Sequence, residues 1–153
     1  MSEAGDPNSF NEIVSRKRAP AKSGYNAFQA QHFGKLPPQA IDLEESTLGA
    51  LMLEKDALTK VIDILHPESF YKDSHRIIFT AIRKLFERSE PIDILTVTNE
   101  LKKSGELDLI GGPYYITQLT NRVASAANIE YHSRIILQKH IQRELIQIGR
   151  AHV

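Results

Sequence analysis

The sequence predicts an all-α protein: a compact helical bundle followed by one long C-terminal helix. Three observations lead there. From Gln39 onward, apolar residues recur three and four positions apart. The segments they define end at stop signals, His66-Pro67, Ser89-Glu90-Pro91 and Ser104-Gly105. The last segment then keeps its helical period from Ser125 to the end of the chain without meeting a proline.

Residues 1–38 stand apart. Gly5, Pro7, Pro20, Gly24, Gly34, Pro37 and Pro38 interrupt them, and large apolar residues are sparse. Such a segment cannot bury enough surface to offset its ordering entropy, so a flexible tail is expected. Ser9-Phe10-Asn11-Glu12, followed by Ile13-Val14, fits a capping box, but an isolated helix this short is marginal in water. The tail holds Arg16-Lys17-Arg18, Lys22 and Lys35 and carries a net +2, leaving −2 on the remainder.

The first helix is expected from about Ile41 to Leu53, with Leu48, Leu51 and Met52 on one face. A second follows through Ala57, Leu58, Val61, Ile62 and Leu65. Asp73 or Ser74 should cap the third, whose face is Ile78, Ala81, Ile82, Leu85 and Phe86. Asp93 should cap a fourth, Ile94–Lys103, along which Ile94, Val97 and Leu101 align; its threonines and valine also suit a strand. A short helix from Tyr114 to about Asn121 follows, and the long one starts at Ser125 or Ala126. The expected divisions are a tail, 1–38, a globular head, 39–123, and the long helix, 124–153.

Composition excludes several kinds of chemistry. The chain has 153 residues, 41% of them hydrophobic, with 19 Lys+Arg against 19 Asp+Glu, so net charge offers no general attraction to nucleic acid. Cysteine is absent, which removes disulfides, thiolate catalysis and cysteine–zinc sites. MSEAGDPNSF has no apolar signal region, and no apolar run approaches the ~18 residues of a membrane span, so a cytoplasmic location is expected. A phosphate-binding loop needs G-x-x-x-x-G-K-[ST]. The one Gly-Lys pair, Gly34-Lys35, is followed by Leu36, and Gln29 stands at the first glycine position. The stretch Leu109-Ile110-Gly111-Gly112-Pro113-Tyr114-Tyr115 contains no lysine and reads as a hinge. There the glycines let the chain reverse, and Pro113 suits the first turn of a helix. His32, His66, His75, His132, His140 and His152 form no metal-binding motif and read as surface or cap histidines. Glu44-Glu45 suit a helix first turn. No catalytic residue, cofactor or metal is expected in this chain.

The long helix is apolar on more than one side. Leu137, Ile141, Leu145 and Ile148 form one stripe; Ile135 and Ile146 fall on another side near Tyr131; Ile129 and Ile136 lie between. Either the helix is central in its own core or it offers a second face to another chain.

These segments together resemble the N-terminal domain of the bacterial replicative DNA helicase, the DnaB family. The residues that carry the resemblance are "LPPQAIDLEESTLGALML", "LHPESFYKDSHRIIFTAI", "PIDILTVTNELKKSGELDLIGGPYYITQL" and "ANIEYHSRIILQKHIQREL", in that order, over about residues 36–150. The resemblance implies a helical head followed by the first arm of a helical hairpin, with the chain ending where the returning arm should begin. It implies domains that pair and assemble into a trimer-of-dimers collar, and a docking surface for primase, with a helicase loader as a further partner. ATP, magnesium and unwinding would belong to a RecA-like domain further along the parent chain. Tyr131, Ile135, Leu137, Ile141, Leu145 and Ile148 are then the expected protein contacts. Gly111, Gly112 and Pro113 set the angle between head and long helix. The rival reading is a nucleic-acid-binding helical module that uses the basic tail.

Overall fold

A computed structural model describes residues 36–123 and 125–151. The expectations for the tail, including the capping box at Ser9 and the basic cluster at Arg16, lie outside the described residues.

Six α-helices and a short 3-10 turn make up the secondary structure of the described residues, with no strand among them. They are α1 (Ile41–Leu53), α2 (Ala57–Val61), the 3-10 turn Pro67–Ser69, α3 (Asp73–Glu87), α4 (Ile94–Lys103), α5 (Gly112–Asn121) and α6 (Ile129–Ala151). The first helix is central: it packs chiefly against α5 and α6 and also touches α2, α3 and α4. The expectation of a single apolar face on α1 is therefore corrected. Thr47, Leu48, Gly49, Ala50, Leu51 and Met52 are all buried, together with Glu44 and Glu45. A helix covered on all sides cannot keep a polar face.

Gly49 is where α5 comes closest. A Cβ built there would overlap the Leu119 carbonyl oxygen and lie 2.5 Å from Val123 Cγ2. Only a bare Cα permits that approach.

The α3 face is made by Ile78, Phe79, Ala81, Ile82 and Leu85. Phe79 fills the core expected of Phe86, which is 39% exposed in the last turn. The expected side-chain cap is also absent: Lys72 is the N-cap residue, and Asp73 is already helical and pairs with Arg76 at 3.0 Å. In α4 the helical alternative prevails over the strand, for a local reason. The Asp93 carboxylate accepts the Thr96 N–H at 2.8 Å, and the Thr96 hydroxyl accepts the Asp93 N–H at 2.9 Å. This reciprocal cap commits the threonines to a helix. Val97 and Leu101 then reach the core, while Ile94, expected on the same face, is exposed.

The long helix begins at Ile129, later than the expected Ser125 or Ala126. Residues 125–128 instead form a turn in which Ser125 Oγ accepts the Ala127 N–H at 3.1 Å. No helix among the described residues is long and apolar enough to cross a membrane.

Candidate protein interface

The docked face of α6 is set by a three-and-four register. Ile129, Ser133, Ile136 and Arg143 are buried against the head, and His140 is half-buried on the same line. This face lies against α1, α2 and the 3-10 turn. From Glu144 to Arg150 every residue is exposed. The helix thus has a docked part up to Arg143 and a projecting part beyond it.

Its two flanks carry the apolar residues singled out from the sequence. Tyr131, Ile141, Leu145 and Ile148 are 49–66% exposed. Ile135 and Leu137 are half-buried at the margins of the docked face. Ile146 is exposed as well. Ile129 and Ile136, which lie between the two stripes on the helical wheel, belong to the core.

The Gly111-Gly112-Pro113 reversal has the backbone that glycine alone adopts readily, with φ of +106° at Gly111 and +77° at Gly112. The Gly112 N–H bonds back to the Leu107 carbonyl at 2.9 Å, closing the turn that precedes α5. Gly112 is itself the first residue of that helix, two positions before the expected start at Tyr114.

Sequence reasoning missed a buried polar network behind α6. Glu44 stands in the first turn of α1, as expected, but is buried, and His75, expected at the surface or at a cap, is buried as well. The Glu44 carboxylate accepts the backbone N–H groups of Tyr71 at 2.8 Å and Lys72 at 3.4 Å. His75 Nδ1 lies 2.8 Å from Glu44 Oε1, and His75 Nε2 lies 2.6 Å from the Tyr115 hydroxyl. Lys72 Nζ donates to the same hydroxyl at 3.1 Å.

An ionised carboxylate can only accept, so His75 Nδ1 carries the proton that faces Glu44. In the neutral ring Nε2 then accepts from the Tyr115 hydroxyl, whose oxygen accepts from Lys72. Every group is satisfied in one direction, and α1, α3 and α5 are tied together.

Arg143 forms a second clamp. Its Nη1 donates to the Pro38 carbonyl at 2.8 Å and its Nη2 to the Ser69 carbonyl at 3.0 Å. The guanidinium also lies 5.4 Å from the centre of the Tyr71 ring. Burial pulls its pKa below the ordinary arginine value, and the nearby Glu44 charge opposes that shift. The sequence did hold a signal for Arg143. It lies in the same three-and-four register as Ile129 and Ile136, and so on the docked face.

No group of three His, Cys, Asp or Glu side chains that could hold a metal ion occurs among the described residues.

An all-α head carrying a long helix with apolar side chains exposed along both free flanks defines the class: a helical domain with an unpartnered apolar helix surface. Residues 36–138 match the family model described as the DnaB-like helicase N terminal domain, and the chain belongs to that family. It is 47% identical over 126 residues to the replicative DNA helicase DnaB of Rhodothermus marinus, covering 80% of this chain and 13% of that relative. It is 44% identical over 113 residues to the replicative DNA helicase DnaC of Bacillus subtilis, covering 74% of this chain and 25% of that one. The chain thus spans a quarter or less of these relatives.

Among solved structures, the N-terminal domain of DnaB helicase from Mycobacterium tuberculosis superposes with a TM-score of 0.74 at 39% identity, covering 76% of this chain and 84% of that one. The fold is also shared, at a TM-score of 0.62 and 24% identity, with a structure described as a DnaB-like replicative helicase and its interactions with primase; the match covers 71% of this chain and 25% of that one.

Proposed function

We propose that this chain is an assembly and primase-docking domain of a replicative DNA helicase, without catalysis of its own. The observation that carries the reading is the free flank of α6, where Ile141, Leu145 and Ile148 lie exposed on a domain of this family. An exposed apolar stripe on an ordered helix is a surface for another protein. Tyr131, Ile135, Leu137, Ile141, Leu145 and Ile148 make the contacts, and the consequence is self-association through the long helix, as dimers or as a trimer of dimers in a parent hexamer.

Primase is the proposed second partner. The structure of shared fold described with its interactions with primase supports that choice. The parent is an ATP-dependent helicase in the cytoplasm, with ATP and magnesium handled by a separate motor domain. This domain supplies position rather than chemistry.

The test is molar mass by sedimentation across a concentration series, with and without the C-terminal domain of the cognate primase. Reversible dimers or larger species that take up primase are expected. A strict monomer that ignores primase at every concentration would overturn the reading.

A further inference from the structure

Among the described side chains of α6, the last buried one is a cation held by two carbonyl groups. Nothing about Arg143 is accounted for by apolar packing. Taking a guanidinium out of water is costly before its hydrogen bonds are counted, and apolar replacements at such sites are often neutral or stabilising. What this arginine supplies is geometry. Its planar fork fixes two donor directions at once. One meets the Pro38 carbonyl and the other the Ser69 carbonyl, from segments 31 residues apart in the chain. The Tyr71 ring lies against the guanidinium, and Tyr71 is itself tied by its N–H to Glu44. The fork therefore meets three fixed points of the head.

Its position along the helix gives this geometry its consequence. Arg143 is buried, and residues 144–150 are exposed throughout. Eight residues of helix project by about 12 Å, so a tilt of about 20° at Arg143 moves the tip by about 4 Å. That is the width of a side-chain contact, and enough to take Leu145 and Ile148 out of register with a packed partner.

We propose that Arg143 is a positioning residue that sets the direction in which α6 leaves the head, and so the alignment of its apolar stripe. The effect on assembly rests on the function proposed above; the effect on helix direction does not.

The chain has no cysteine, so two introduced ones take spin labels uniquely. Labels at Lys103→Cys and Gln147→Cys, in labelled protein diluted into unlabelled, report the distance from head to projecting helix. The native chain is expected to give one narrow distance distribution. Arg143→Met should keep the far-UV helical signal but broaden that distribution, and Arg143→Lys, with one compact donor group, should fall between. Self-association measured by sedimentation should weaken by about tenfold in Arg143→Met. An unchanged distribution in folded Arg143→Met would overturn the proposal. If that variant does not fold, Arg143→Lys decides: broadening supports the role, and a native width overturns it. If the native chain does not self-associate, the function proposed above fails while the distance measurement still decides the role of Arg143.

Discussion

Gly49 and Gly112 lack a side chain for different reasons, and the two substitutions separate those reasons. Gly49 is helical but faces the α5 backbone, so Gly49→Ala forces two helices apart. A loss of about 2–3 kcal/mol is expected, read as a lowered midpoint in urea. At Gly112 nothing lies within 4 Å of a built Cβ, yet φ is +77°. There Gly112→Val strains only the backbone, by about 1–2 kcal/mol, and an unchanged melting temperature would contradict it. Tyr115→Phe removes the hydroxyl that Lys72 and His75 share and leaves His75 Nε2 without a donor. A buried acceptor so orphaned costs about 1–3 kcal/mol, measured by thermal or chemical unfolding.

At the scale of elements, the helix ends repeat one device. After α3, Ser89 has φ of +55°, its N–H bonds to Phe86 and the N–H of Glu90 to Leu85, both at 2.9 Å. After α4, Gly105 and Glu106 make the same pair of bonds back to Lys102 and Leu101. This closure satisfies the last carbonyls of each helix and turns the chain sharply. It also brings Arg88 at the end of α3 to Glu100 in α4, at 2.6 Å. The hydrogen bond from Arg88 holds the Glu100 carboxyl below its ordinary pKa. The unfolded chain therefore takes up this proton first on acidification. The bridge's contribution is present above the unfolded carboxylate pKa of about 4.3 and is lost as pH falls through the lower folded value. The melting-temperature gap between the native chain and Glu100→Gln should be open at pH 7 and close in strong acid. A gap constant with pH would show that Glu100 contributes by packing alone.

For the whole molecule, the free flank of α6 separates stability from association. Ile141 and Leu145 are 49% and 62% exposed, so the double change Ile141→Asp with Leu145→Asp should alter unfolding by no more than about 0.5 kcal/mol per site. The same double variant should abolish self-association in sedimentation. A variant that associates as the native chain does would move the interface elsewhere. The changes at Gly49 and Tyr115, by contrast, act on the head, where α1 is held by α5 on one side and α6 on the other.

The sequence by itself determined the class, the helix order and most of the helix limits. Periodicity, caps and stops are local, and the Asp93 cap and the Gly105 stop lie where short-range chemistry requires them. The glycine reversal at 111–112 was legible for the same reason. The core faces of α3 and α4 were legible too, but which sides of α1 are buried was decided only by the tertiary structure. A central helix such as α1 has neighbours on every side, and a wheel drawn for α1 alone could not show that Glu44 would turn inward to meet two backbone N–H groups and His75. Arg143 shows the same limit. Its register places it on the docked face, but the carbonyls of Pro38 and Ser69 that make a buried guanidinium tolerable come from distant parts of the chain and meet it only on folding.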